Sequence, residues 1–166
     1  SRVFIHPSVV EAALRLERET QVILTYFIND ISSKGRSTPY SFVSAPGAPI
    51  VPADTADNEI ILNRWLAEDL GTSQGAPVKL TYFIPGPDNL LEEEIADFIV
   101  KSIVPLEGIY ADRDLLPDFP GLAEIESTRD WRPGIPIDLD RIRDKDERYW
   151  ELYRGTPKAF VTMGAA

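Results

Sequence analysis

One acidic run, DLDRIRDKDE, places Asp138, Asp140, Asp144, Asp146 and Glu147 within ten residues. Calcium chemistry would need alternating oxygen ligands around a sharp glycine turn, closed by a bidentate glutamate. Here Ile142 and Arg143 occupy the turn, no glycine is present, and Arg141, Arg143 and Lys145 interleave with the acids. Basic neighbours pair carboxylates and remove the demand for a cation, so the run reads as the salt-bridged start of a helix. No metal site is expected.

A second constellation gathers Asp112, Asp114, Asp118 and Asp130 ahead of Trp131. Two carboxyls at a defined separation, one with its pKa raised by burial, hydrolyse glycosidic bonds, and an indole offers a sugar platform. Any acidic chain offers such combinations, so the pattern assigns no catalyst. Trp131, flanked by Arg129 and Arg132, is nevertheless the candidate contact for a partner or cargo, with Asp112 and Asp114 as further candidates. Cation–π stacking within the fold is the simpler account of this indole. His6 is the only histidine, and no serine sits in a Gly-x-Ser-x-Gly elbow. The chain has no cysteine, which excludes thiolate catalysis, disulfides and His/Cys metal sites. No glycine-rich phosphate loop follows a strand. No catalytic motif stands out, and no cofactor is expected.

At 166 residues and 43% apolar composition, the chain can bury a sizeable core. Seventeen basic against twenty-seven acidic side chains give a formal net charge of −10, which argues against nucleic acid as a partner. No stretch is long and apolar enough to cross a bilayer, and SRVFIHPSVV lacks signal-peptide architecture. The sequence reads as a piece of a longer protein.

The elements follow from periodicity. Ser8 and Glu11 have capping-box spacing ahead of Val10, Ala13 and Leu14, which predicts a helix. TQVILTYFI alternates as a strand, NDISSKGRSTP reads as a turn, and YSFVSA returns. The proline-rich APGAPIVPADTADN is expected to link two lobes. EIIL is a short strand, and NRWLAEDLG a helix with Asn63 as N-cap, Leu66, Ala67 and Leu70 buried, and Gly71 at C′. VKLTYFI and ADFIVKSIV form a hairpin around PGPDNLLEEE. The stretch from Glu107 to Asp138 is expected to wrap over the sheets, with a helical turn near Leu122 to Ile125. Asp144 and Glu147 have capping-box spacing for a last helix that packs through Tyr149, Trp150 and Tyr153, before the strand KAFVTM.

The motif LTYFI occurs twice, at Leu24–Ile28 and Leu80–Ile84, and each copy is followed eighteen residues after its leucine by a phenylalanine, Phe42 or Phe98. β-branched and aromatic residues are what strands favour, so the copies read as two hairpins built by the same rules.

The second hairpin and its preceding helix resemble the extracytoplasmic domain of FtsX-like, or MacB-like, ABC transporter permeases. The resemblance is carried by Leu62-Asn63, Leu66-Ala67, Leu70-Gly71, Gly75, Val78 with Leu80, Phe98-Ile99-Val100 and Ile103-Val104. It spans Glu59 to Val104; Ala76-Pro77 and Ser102 depart from the family's usual acidic residue and glycine. It implies a non-catalytic domain on the periplasmic side of the bacterial inner membrane, set between membrane helices. It also implies a cognate ATPase, a second permease subunit, and periplasmic protein or lipoprotein cargo as partners. The expected fold is α+β: mixed and antiparallel hairpins form a small β-rich lobe at about 57–108, with short helices beside it. Residues 1–56 and 109–166 are expected to supply an α/β lobe and wrapping segments. The competing reading is a secreted carbohydrate-binding or hydrolase module using the Asp112–Trp131 region.

Overall fold

The computed structural model describes residues 22–86, 90–116, 127 and 136–166. The helix expected near Ser8 and the helical turn near Leu122 lie outside the described residues. Strand β1 (Leu24–Ser33) and β2 (Arg36–Ala45) pair antiparallel from Leu24↔Ala45 to Ser33↔Arg36. Lys34 and Gly35 turn the chain with φ of 51° and 77°. Two successive positive φ angles make the hairpin turn whose twist matches the strands. The expected turn at NDIS is therefore strand, and the hairpin is longer than its hydrophobic pattern suggests.

β3 (Glu59–Asn63) runs directly into helix α1 (Arg64–Leu70). The Asn63 side chain accepts a hydrogen bond from the Leu66 N–H at 2.8 Å, and Gly71 closes the helix at φ 60°. Both ends match the sequence. β4 (Pro77–Pro85) and β5 (Leu91–Val104) form the second hairpin, and β6 is only Ala159–Phe160. Helix α2 (Asp144–Tyr153) begins one residue earlier than its spacing suggests, with Arg143 as N-cap and the Asp146 carboxylate accepting the Arg143 N–H at 3.0 Å.

The strands close into one barrel in the order β1-β2-β6-β3-β5-β4, with β1 returning to β4 through Asp30↔Thr81, Ile31↔Leu80 and Ser32↔Lys79. This overturns the α+β expectation: among the described residues the fold is mainly β, and the two α-helices there are short. The NDIS residues read as a turn include those that join the two LTYFI strands edge to edge. Strands from outside residues 57–108 thus close the same barrel as β3, β4 and β5.

Alternation sorts side chains into an interior and an exterior. Val43, Ala45, Ile60, Leu62, Val78, Leu80, Phe98, Val100, Ala159 and Val161 fill the interior, joined by Leu66, Ala67 and Leu70 of α1. Outward-facing Ile61 and Phe160 are covered by Ile50, Val51 and Leu115, so the proline-rich stretch packs on the barrel wall. Outward Phe42 is covered by Trp150 of α2, next to Phe27. The aromatic face expected of α2 is its packing face.

Gly71→Ala forces a side chain into the left-handed region that α1 needs to stop, at a cost of about 1–2 kcal/mol. Urea denaturation should show that loss with an unchanged m-value; equal stability would show that the turn has another conformation available.

Candidate functional site

A barrel needs every stave, and the shortest here is β6. It pairs parallel to β2 (Val43↔Ala159) and antiparallel to β3 (Leu62↔Ala159), which do not pair with each other. The residue before it extends both seams: the Lys158 N–H donates to Phe42 O and its carbonyl accepts the Asn63 N–H, each at 2.9 Å. That backbone position leaves the Lys158 side chain 4% exposed.

Its ammonium lies 4.4 Å from the Trp65 ring centre and 4.8 Å from that of Tyr149, with Asp146 Oδ1 3.9 Å away. Trp65 and Tyr149 themselves pack at 4.9 Å. Burial dominates and lowers the lysine to about 8, although the Asp146 charge opposes that shift. Tyr149 is held well above its ordinary value, chiefly by burial. The Tyr149 hydroxyl donates to Thr156 O and accepts from Asn63 Nδ2, both at 3.0 Å. Asn63 thus caps α1, and its amide also donates to α2 and to Pro157 O at 3.4 Å.

The charges around this clasp are paired. Arg143 grips both oxygens of Asp146 at 2.7 Å and reaches Asp69 at 2.6 Å. Thr38 donates to Asp69 at 2.6 Å, and Lys145 also reaches that carboxylate. Burial alone would raise Asp69, yet hydrogen bonds from Lys145, Thr38 and Arg143 hold it below the usual carboxylate value. The acidic run is indeed a salt-bridged helix start, and it pins α2 to α1 and β2. Earlier in the run, Asp138 caps a 3-10 turn (Leu139–Arg141) by accepting the Asp140 N–H at 3.1 Å.

A lysine near pKa 8 is a nucleophile or base in a catalytic setting. Here the cavity beside it, lined by Tyr40, Phe42, Tyr149, Trp150 and Thr156, holds about 50 Å³. Ligand pockets start at about 300 Å³. An open groove of about 290 Å³ runs beside Tyr40, between Asn29, Phe83, Glu93 and Arg141, and brings no nucleophile to a base. Among the described residues no three His, Asp or Glu side chains converge on a metal position. The clasp joins β6 to both helices through Trp65, Tyr149 and Asp146.

Asp112 and Asp114 lie exposed on two short 3-10 turns, where the Asp112 carboxylate accepts the Asp114 N–H at 2.9 Å. Trp131, Arg129 and Arg132 lie outside the described residues, as do His6, Asp118 and Asp130. Sequence reasoning missed Lys158. Its one signal is a lone cation in the otherwise uncharged run GTPKAFVTM. No protein-family model matches the chain, and no curated protein is significantly similar to it.

Two predictions test the joint. Asn63→Ala should cost about 2–3 kcal/mol, combining a lost cap with lost buried hydrogen bonds. Asn63→Ser, which keeps a capping oxygen, should lose less; equal losses would mean that the capping oxygen adds nothing and that the amide's reach to Tyr149 and Pro157 carries the whole effect. For Lys158, the unfolded chain holds the proton up to about 10.5 and the folded chain only to about 8. Stability should therefore rise with pH across that window, by about 3 kcal/mol. Lys158→Met should be as stable as the parent or more so at pH 7, and should lack the rise. Parallel pH profiles for the two proteins would contradict the buried-ammonium assignment.

Proposed function

We propose that this chain is an extracytoplasmic domain of an FtsX-like or MacB-like ABC transporter permease, without catalytic activity of its own. In this reading the full-length protein is an integral membrane protein, with the domain on the periplasmic side of the bacterial inner membrane. It works with a cognate ATPase and a second permease subunit, and it contacts a periplasmic protein or lipoprotein cargo.

One observation carries the reading. The residues of the resemblance occupy a continuous half of the barrel, β3-α1-β4-β5, and most have a structural task there, Ile99 and Ile103 being exposed. Asn63 caps, Leu66, Ala67 and Leu70 fill the interior, Gly71 terminates the helix, and Val78, Leu80, Phe98 and Val100 line the barrel. Gly75 lies in the turn into β4 with φ 80°. None of them is arranged for chemistry, as suits a domain that transmits displacement. The mechanical requirement is a rigid body whose position is biased from afar by nucleotide state.

Among the described residues no helix is long and apolar enough to cross a membrane. A single cysteine at Leu152, which is 64% exposed on α2, would report its side of the membrane without competition from this domain. In cells with a permeabilised outer membrane, the intact permease carrying Leu152→Cys should react with a membrane-impermeant maleimide. Reaction only after the inner membrane is lysed would contradict the placement. Saturable quenching of tryptophan fluorescence by oligosaccharides would favour a carbohydrate module instead.

A further inference from the structure

The β4–β5 hairpin outruns the barrel. β5 pairs with β4 along Leu91–Ile99, but with β3 only from Ile99 onward. The Ile99 N–H donates to Asn58 O at 2.9 Å on the β3 side. Antiparallel ladders alternate, so Asp97, Ile95, Glu93 and Leu91 aim their N–H and C=O groups to that same side. There they meet no hydrogen-bonding partner among the described residues. A closed barrel abolishes edges, and this one retains an edge along its projecting hairpin.

The side chains along that edge combine two characters. Leu90, Leu91 and Ile95 are 69%, 39% and 58% exposed. Glu92, Glu93, Glu94 and Asp97 are all exposed among them, and Lys79, on Asp97 at 2.6 Å, is the one cation bridged to any of the four in the described residues. Two copies pairing antiparallel through this edge would oppose glutamate to glutamate, which is destabilising. A strand of opposite charge meets no such penalty.

We propose that the outer edge of β5, from Leu91 to Asp97, is a strand-addition site for an extended peptide segment that alternates basic and aliphatic residues. The backbone supplies the register, Leu91 and Ile95 supply apolar contact, and the glutamates select the partner's charge. The same glutamates discourage pairing with uncharged or acidic strands. The site rests on the hairpin alone and stands whether or not the chain belongs to a transporter.

The test titrates the full 166-residue chain with a capped peptide alternating lysine and valine, about as long as residues 91–98. Two control peptides replace lysine by glutamate or carry N-methyl groups along one edge. The lysine peptide should bind saturably, at least about tenfold more tightly than either control. It should slow amide exchange at Leu91, Glu93, Ile95 and Asp97 while leaving Glu92, Glu94 and Ala96 unchanged. Ile95→Lys, at an exposed position that folding does not need, should weaken binding by a similar factor. Absence of binding, equal binding of the N-methylated peptide, protection elsewhere, or a dimer formed through this edge would each overturn the proposal.

Discussion

β2 and β3 share no hydrogen bond, and the barrel closes only because residues 158–161 run between them. The two-residue β6 would be a weak stave by itself. It is lengthened by Lys158 N–H on Phe42 O, by Asn63 N–H on Lys158 O, and by Val161 N–H on Ser44 O at 3.0 Å. That seam places Lys158 indoors, and an ammonium indoors must find partners. Trp65 from α1, Tyr149 and Asp146 from α2 answer that need, which brings both helices to the same corner. Closure of the barrel and docking of its helices are thus one constraint.

The arrangement weakens stability in one place and increases specificity in another. A buried lysine with a depressed pKa opposes folding at neutral pH, whereas an apolar residue of similar volume would not. The return is a joint that has one geometry. Asn63 can cap α1, reach the Tyr149 hydroxyl and receive no water only when β3, α1 and α2 sit as they do. Around it, Asp69 collects Arg143, Lys145 and Thr38, so that slippage of α2 along the barrel would strand buried charge. For a domain proposed to carry motion from membrane helices to a partner, unique geometry matters more than surplus stability.

Much of the local structure was legible in the residues. Asn63 and Gly71 announce both ends of α1 because capping chemistry is local. The Tyr149-Trp150-Tyr153 face announces a packed helix because periodicity is local too. Closure was not legible. The Asp30–Ser32 segment carries polar residues that suit a turn, yet it pairs with Lys79–Thr81 across the distance between two hairpins. β6 has too few residues to show a period. Lys158 was hidden for a related reason: nothing in GTPKAFV tells a solvated lysine from a caged one until the seam fixes its direction. The acidic run was read correctly as a salt-bridged helix start, since its basic neighbours stand beside it in sequence. Its N-cap lay one residue earlier than its capping-box spacing indicated, at Arg143.

Barrel and clasp form a single cooperative body, as the proposed coupling role requires. Native-state amide exchange tests it most directly. Leu62 and Val100 report the barrel, and Trp150 and Arg154 report α2. The account predicts that all four amides exchange through the same global opening, with equal free energies and equal denaturant dependence. If Trp150 and Arg154 exchanged through a small local opening while Leu62 and Val100 stayed protected, α2 would be a detachable flap. The clasp would then not be the joint described.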